Sequence, residues 1–174
     1  MIVVVGAYGT IKDIDLFVQE LLLFSKKENL VIQAFDATVV YGKDHLISAT
    51  THAQRAFKQG RNATNSLALE ILLYAAGERQ IQKAIKKMGV KKGKQQIAFI
   101  LTNELTQKKN KHIDEAVIKK FLETFHLVSA EKVLEGNRNT LKRFGITTQE
   151  LATISEGNYG DLILEKVALV DVIK

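Results

Sequence analysis

The stretch GRNATNSLALEILLYAAGERQIQKAIKKMG, Gly60 to Gly89, decides how this chain folds. Between Leu67 and Ala76 only Glu70 is charged, and leucine, isoleucine, alanine and tyrosine occupy every side of the implied helix. A helix that is apolar all round has no face for water, so this one is predicted to lie inside the core. Asn62 or Thr64 is placed to cap its start, where backbone N–H groups lack partners, and Gly77 to end it in the left-handed conformation. Ile81, Ala84, Ile85 and Met88 then follow the spacing of one helical stripe, closed by Gly89. The other face of that second helix is basic: Arg79, Lys83, Lys86 and Lys87. Glu70 is the odd residue, because a carboxylate in an apolar helix must meet a cation or several donors, or else hold a proton. Arg61 or Arg79 is the expected structural partner.

Outward from this centre, 174 residues with 46% hydrophobic and 25% charged content imply one domain, residues 1–174, with a substantial core. There is no cysteine, which removes disulfides, thiol catalysis and zinc sites built on thiolates. The opening MIVVVGAYG lacks a basic n-region, and its apolar run is too short for a signal peptide or membrane span, so a cytoplasmic protein without a membrane partner is expected. The net charge of +6 is unevenly placed. From Arg55 to Lys94 there are ten Lys or Arg against two acids, a local +8, leaving −2 for the rest. Such a patch attracts phosphate, unless it is simply a solvated face.

Ile2–Val5, Leu30–Phe35 and Ile97–Leu101 read as buried strands, with a short fourth somewhere in Val128–Leu134. Gly6 and Gly9 lack the third glycine and the later acid of a dinucleotide loop, so they read as a turn. Asp13 caps a helix striped by Ile14, Phe17, Val18, Leu21 and Phe24, and a second helix spans Asp44 to Phe57. His45 and His52 stand seven apart on it, wider than the three or four of metal ligands on one helix, so no metal is expected. GVKKGKQQ is a basic turn rather than a phosphate loop, because Gln95 stands where a magnesium-holding hydroxyl would be needed. Lys108, Lys109 and Lys111 make a second basic loop, followed by a helix carrying Ile113 through Phe125. Asn137–Phe144 is a short helix, and Thr147 with Glu150 forms a capping box for the next. In the closing GDLILEKVALVDVIK, Ile163, Val167 and Val170 make one helical seam and Leu162 with Leu169 another, more apolar surface than one core contact requires. The sum is an α/β chain: a small mixed β-sheet packed with about seven helices around a largely buried central helix.

Catalysis needs titratable groups that converge, and the acids Asp36, Asp44, Glu70 and Glu78 form no recognisable pair, nor do the histidines have an obvious Ser or Asp partner. No cofactor is expected either. The block Asp36–Lys91, however, resembles the family of the small KEOPS subunit that binds the kinase-like ATPase, called PRPK-binding protein in animals. The features that carry it are Gly42 with His45 and Leu46, the Arg61-Asn62 turn, Asn65-Ser66-Leu67, Leu69-Glu70-Ile71-Leu72, Gly77-Glu78-Arg79-Gln80-Ile81 and Ala84 through Gly89. Leu164-Glu165-Lys166-Val167-Ala168-Leu169 is similar too, with Lys166 where many members have arginine. The resemblance implies a non-enzymatic regulatory subunit of the complex that installs threonylcarbamoyl on a tRNA adenosine. It would dock on the kinase-like ATPase, promote its activity and hold tRNA through the single-stranded CCA end. Within the matching block, charge and placement select Lys58, Arg61, Asn62, Asn65 and Arg79 for RNA, with Lys83 and Lys86 as electrostatic helpers. Partner docking falls to Leu162, Leu164, Val167 and Leu169. The rival classes are a stand-alone basic RNA-binding domain and an unrecognised small α/β enzyme.

Overall fold

The computed structural model describes residues 1–106 and 111–173. Its sheet has four strands, β1 (Ile2–Ile11), β2 (Leu30–Asp36), β3 (Gly93–Asn103) and β4 (Val128–Ser129), in the order β2-β3-β1-β4. Every pairing is antiparallel, so the expected mixed sheet is corrected. β1 and β2 do run parallel, but β3 lies between them, Val5 opposite Phe99 on one side and Ala34 opposite Phe99 on the other. Apolar patterning reports burial and is blind to strand direction. Eight α-helices accompany the sheet among the described residues: α1 (Ile14–Glu28), α2 (Gly42–Lys58), α3 (Leu67–Ala76), α4 (Ile81–Met88), α5 (Glu115–Thr124), α6 (Arg138–Phe144), α7 (Thr148–Ala152) and α8 (Tyr159–Ile173).

Helices cover both faces of the sheet, which is why its strands read as unbroken apolar runs. Val5, Ala7, Ile97, Phe99 and Leu101 pack with Phe17, Leu21, Phe24 and Phe121 of α1 and α5. Alternate residues, among them Val4, Val31, Ala98 and Ile100, meet α2, α3 and α8. α3 is the middle of that second layer, with Ile71 through Ala76 at most 2% exposed. It ends where predicted, Gly77 taking φ +64°. Ser66 caps its start by accepting from the Leu69 N–H, in place of the expected Asn62 or Thr64, whose side chains are engaged elsewhere. Gly6 and Gly9 are also corrected: both lie inside β1. A Cβ on Gly6 would stand 2.6 Å from the Ala130 carbonyl oxygen, and one on Gly9 would strike Leu127, so they are glycine for close approach.

The second basic loop divides. Lys108 and Lys109 lie outside the described residues. Lys111 Nζ is 2.6 Å from the buried Glu28 carboxylate, to which Lys120 also donates. These two lysines outweigh burial and hold Glu28 at about 2, so Lys111 belongs to the fold.

Candidate functional site

α2 ends at Lys58, and the chain turns through Gly60, φ +64°, with the Arg61 N–H donating back to the Ala56 carbonyl at 2.8 Å. The loop that follows is wound around Glu70. The Ala63 N–H donates to both carboxylate oxygens at 3.1 Å, and the Thr64 N–H and hydroxyl reach Oε2 at 2.9 and 3.0 Å. Glu70 is fully buried, yet donors converge on it and the positive end of α3 is beside it. The expected pairing with Arg61 or Arg79 is thus corrected, the donors coming from the loop backbone and a hydroxyl. The result is a loop held from inside by an anion while its outer face stays cationic. Arg61 is exposed, steadied by a bond to the Gln59 side chain, and Lys58 and Asn65 are exposed beside it. Asn62 is half-buried, its amide donating to the Thr64 carbonyl at 2.9 Å.

Glu70→Gln tests this anchor. The amide must turn a donor toward the Ala63 or Thr64 N–H, so we expect a loss of about 2 kcal/mol in urea unfolding and faster amide exchange at both positions. An unchanged midpoint and unchanged exchange would show that the carboxylate does not hold the loop.

Arg79, Lys83 and Lys86 do not join the Arg61 group. They lie beyond Gly77 and on α4, at the opposite end of α3, a helix of ten residues and therefore about 15 Å long. The seven predicted RNA residues thus fall into two clusters. Lys58, Arg79, Lys83 and Lys86 form no ion pair among the described residues. Lys87 is engaged: it donates to the Ala76 carbonyl at 2.7 Å and lies 3.8 Å over the Phe144 ring, and burial lowers its pKa.

On α8 the four predicted docking residues separate. Val167 is 0% and Leu162 7% exposed, both facing the core, so their assignment to a partner is corrected. Leu164 is half-buried beside Tyr41 and Gly136. Leu169 is 41% exposed and continues into Val172, 77% exposed, and Ile173, with Ala168 alongside. The i, i+3, i+4, i+7 series Glu165, Ala168, Leu169 and Val172 carried this outward stripe in the sequence, but two other seams masked it.

This helix is fastened by a residue that sequence reasoning missed. Asp171 accepts from Arg55 and His52 of α2, both at 2.8 Å, and from the Tyr74 hydroxyl of α3. Burial would raise its pKa, but the three donors prevail and hold it at about 2. Burial, and after it the bond to Asp171, raises the Tyr74 phenol. Three helices meet at one carboxylate, and no spacing rule connects positions 116 or 119 residues apart. His45 is likewise structural: its Nδ1 accepts from the Tyr41 N–H at 3.1 Å and its Nε2–H donates to the Ala75 carbonyl at 2.8 Å. Among the described residues no group of three or more His, Cys, Asp or Glu is placed to hold a metal, and no helix is long and apolar enough to cross a membrane.

The family model described as kinase binding protein CGI-121 matches residues 11–171. A regulatory protein Cgi121 of Methanocaldococcus jannaschii is 30% identical over 149 residues, covering 83% of this chain and 86% of that protein. A KEOPS complex subunit Cgi121 of Pyrococcus abyssi is 43% identical over 63 residues, 35% of this chain and 37% of that protein. The family match takes in the Glu70-anchored loop, the α2–α3–α8 weld and strands β2, β3 and β4, with only Ile11 of β1, and the chain therefore belongs to the CGI-121 kinase binding protein family.

Proposed function

We propose that the chain is a non-catalytic regulatory subunit of a KEOPS complex, docking on the kinase-like ATPase, promoting its activity and holding the single-stranded 3′ CCA end of tRNA. Membership of a kinase-binding family and similarity to a KEOPS complex subunit support the protein partner, and similarity to a regulatory protein supports the regulatory role. The docking surface is the outward stripe of α8, Ala168, Leu169, Val172 and Ile173. An apolar helix stripe held in place by a partly buried charge cluster is the kind of rigid surface a partner groove accepts.

The tRNA half rests on the loop around Glu70. Exposed Lys58 and Arg61 offer charge to phosphate, Asn62 and Asn65 offer amides to unstacked bases, and the loop is ordered beforehand. Arg79, Lys83 and Lys86, across the length of α3, supply electrostatic attraction to a longer segment of backbone.

Arg61→Ala is expected to weaken tRNA binding about tenfold at low salt with an unchanged thermal melt, since the side chain is exposed and contributes through phosphate or base contacts. Removal of the terminal CCA should weaken binding more than any change of anticodon. Equal affinity of the variant, or the opposite ranking of the two tRNA changes, would remove this site. If the chain binds tRNA but forms no complex with the kinase-like ATPase, the stand-alone RNA-binding reading takes its place.

A further inference from the structure

The sheet has an open edge where β4 stops short of the end of β1. β4 is two residues long and pairs with Ala7 and Tyr8, whereas β1 runs on to Ile11. Along an antiparallel strand, alternate residues turn their backbone groups to the same edge. The Ala130 N–H donates to the Gly6 carbonyl at 2.8 Å on the β4 side. Tyr8 and Thr10 therefore present their N–H and C=O groups on that side as well, and those of Thr10 lie past the end of β4.

A cleft of about 1000 Å³ wraps this edge. Leu16 and Phe17 of α1 and Phe125 after α5 form its apolar wall. Lys12 and Lys94 stand at its rim, exposed and without an ion pair among the described residues. Two acids also line it: Asp13 is engaged in capping α1, and Glu20 is exposed. A backbone edge, an apolar wall and two cations within one cleft match a particular ligand.

We infer that the outer edge of β1 at Thr10 receives an extended acidic peptide segment of another protein, which adds a strand beside β1, sets its apolar side chains against Leu16, Phe17 and Phe125, and directs its carboxylates to Lys12 and Lys94. A second copy of this chain is disfavoured as occupant, because it would bring a second Lys12 and Lys94 toward the first pair. Phe17 and Phe125 of the cleft wall belong to the α1 and α5 layer, on the sheet face opposite the one packed by α2 and α3 with α8, so a peptide here leaves the α8 stripe uncovered.

The test uses the full chain and a synthetic peptide, Asp-Val-Thr-Val-Asp-Val-Glu, capped at both ends. Binding is read by fluorescence anisotropy and by amide exchange of Thr10. We expect saturable binding that slows exchange at Thr10. Lys12→Glu with Lys94→Glu should weaken it about tenfold and turn the preference to the same peptide with lysine in place of its acids. Both positions are exposed, so the double reversal leaves the core untouched. Thr10→Pro removes an outward N–H without removing a β1–β3 bond, and should weaken the acidic peptide with an unchanged melt. No saturation at about 1 mM peptide, equal binding of the lysine peptide by the unaltered chain, or indifference to the double reversal would overturn the inference. Protection of Thr10 by self-association or by a uridine oligonucleotide, with no response to the peptide, would overturn it too.

Discussion

Leu169→Arg is expected to leave the circular dichroism spectrum and melting temperature unchanged while weakening the heterodimer with the kinase-like ATPase at least about 100-fold. Leu169 already stands 41% exposed, so the charge remains in water in the free protein. On docking that charge must be desolvated against an apolar groove without a partner, which costs several kcal/mol. Val167, two positions earlier, serves as the contrast. It is 0% exposed, and Val167→Arg places an unpaired charge in the core, so that variant should fail to fold before binding can be asked of it. Co-purification and anisotropy of the two variants separate a docking face from a buried one. A folded Leu169→Arg protein that pairs with full affinity would move the kinase contact away from α8.

A loss of about 3 kcal/mol of stability between pH 7 and pH 4 is the second large effect, and it comes from His45. Burial holds this imidazole neutral down to about 4, assisted by repulsion from Lys87 and opposed by its bond to the Ala75 carbonyl. The unfolded chain takes up the proton near 6.5. Between those values the unfolded state binds more protons than the folded one, so stability is full above about 6.5 and falls as the pH is lowered to about 4. The gap of about 2.5 pKa units corresponds to about 3 kcal/mol. Glu28, Glu150 and Asp171 have the opposite arrangement, folded values of about 2, and lose most of their contribution below pH 4. Urea midpoints at pH 7, 5.5 and 4 resolve the two windows. His45→Gln keeps hydrogen-bonding capacity at the position and should flatten the upper window only. A wild-type protein equally stable at pH 7 and 4 would mean that His45 is protonated in place.

What the sequence made legible was whatever depends on local periodicity and local capping. The apolar α3, its Gly77 terminus, the Asp13 cap and the Thr147–Glu150 box are all short-range patterns, and each stands in the structure. Strand direction was hidden because two-sided burial erases the alternation that distinguishes the faces. The Gly6 and Gly9 pair was misread because close approach to Ala130 and Leu127 is a tertiary fact written as a local motif. The candidate site was half legible. Residues of the Arg61 loop were chosen by charge, but Glu70 as the anchor of that loop required knowing that Ala63 and Thr64 turn their N–H groups inward. On α8, residues 167 and 169 have equal hydrophobicity signals, and only packing against α2 and α3 shows which is covered.

The seating of β3 between β1 and β2 bears on how the chain is made. While the polypeptide is being synthesised, its first two strands have no shared partner until residues 93–103 have appeared. Up to that moment the nascent chain exposes two solitary strand edges. A chaperone that recognises such surfaces would therefore engage the first ninety or so residues and let go once β3 slots into place.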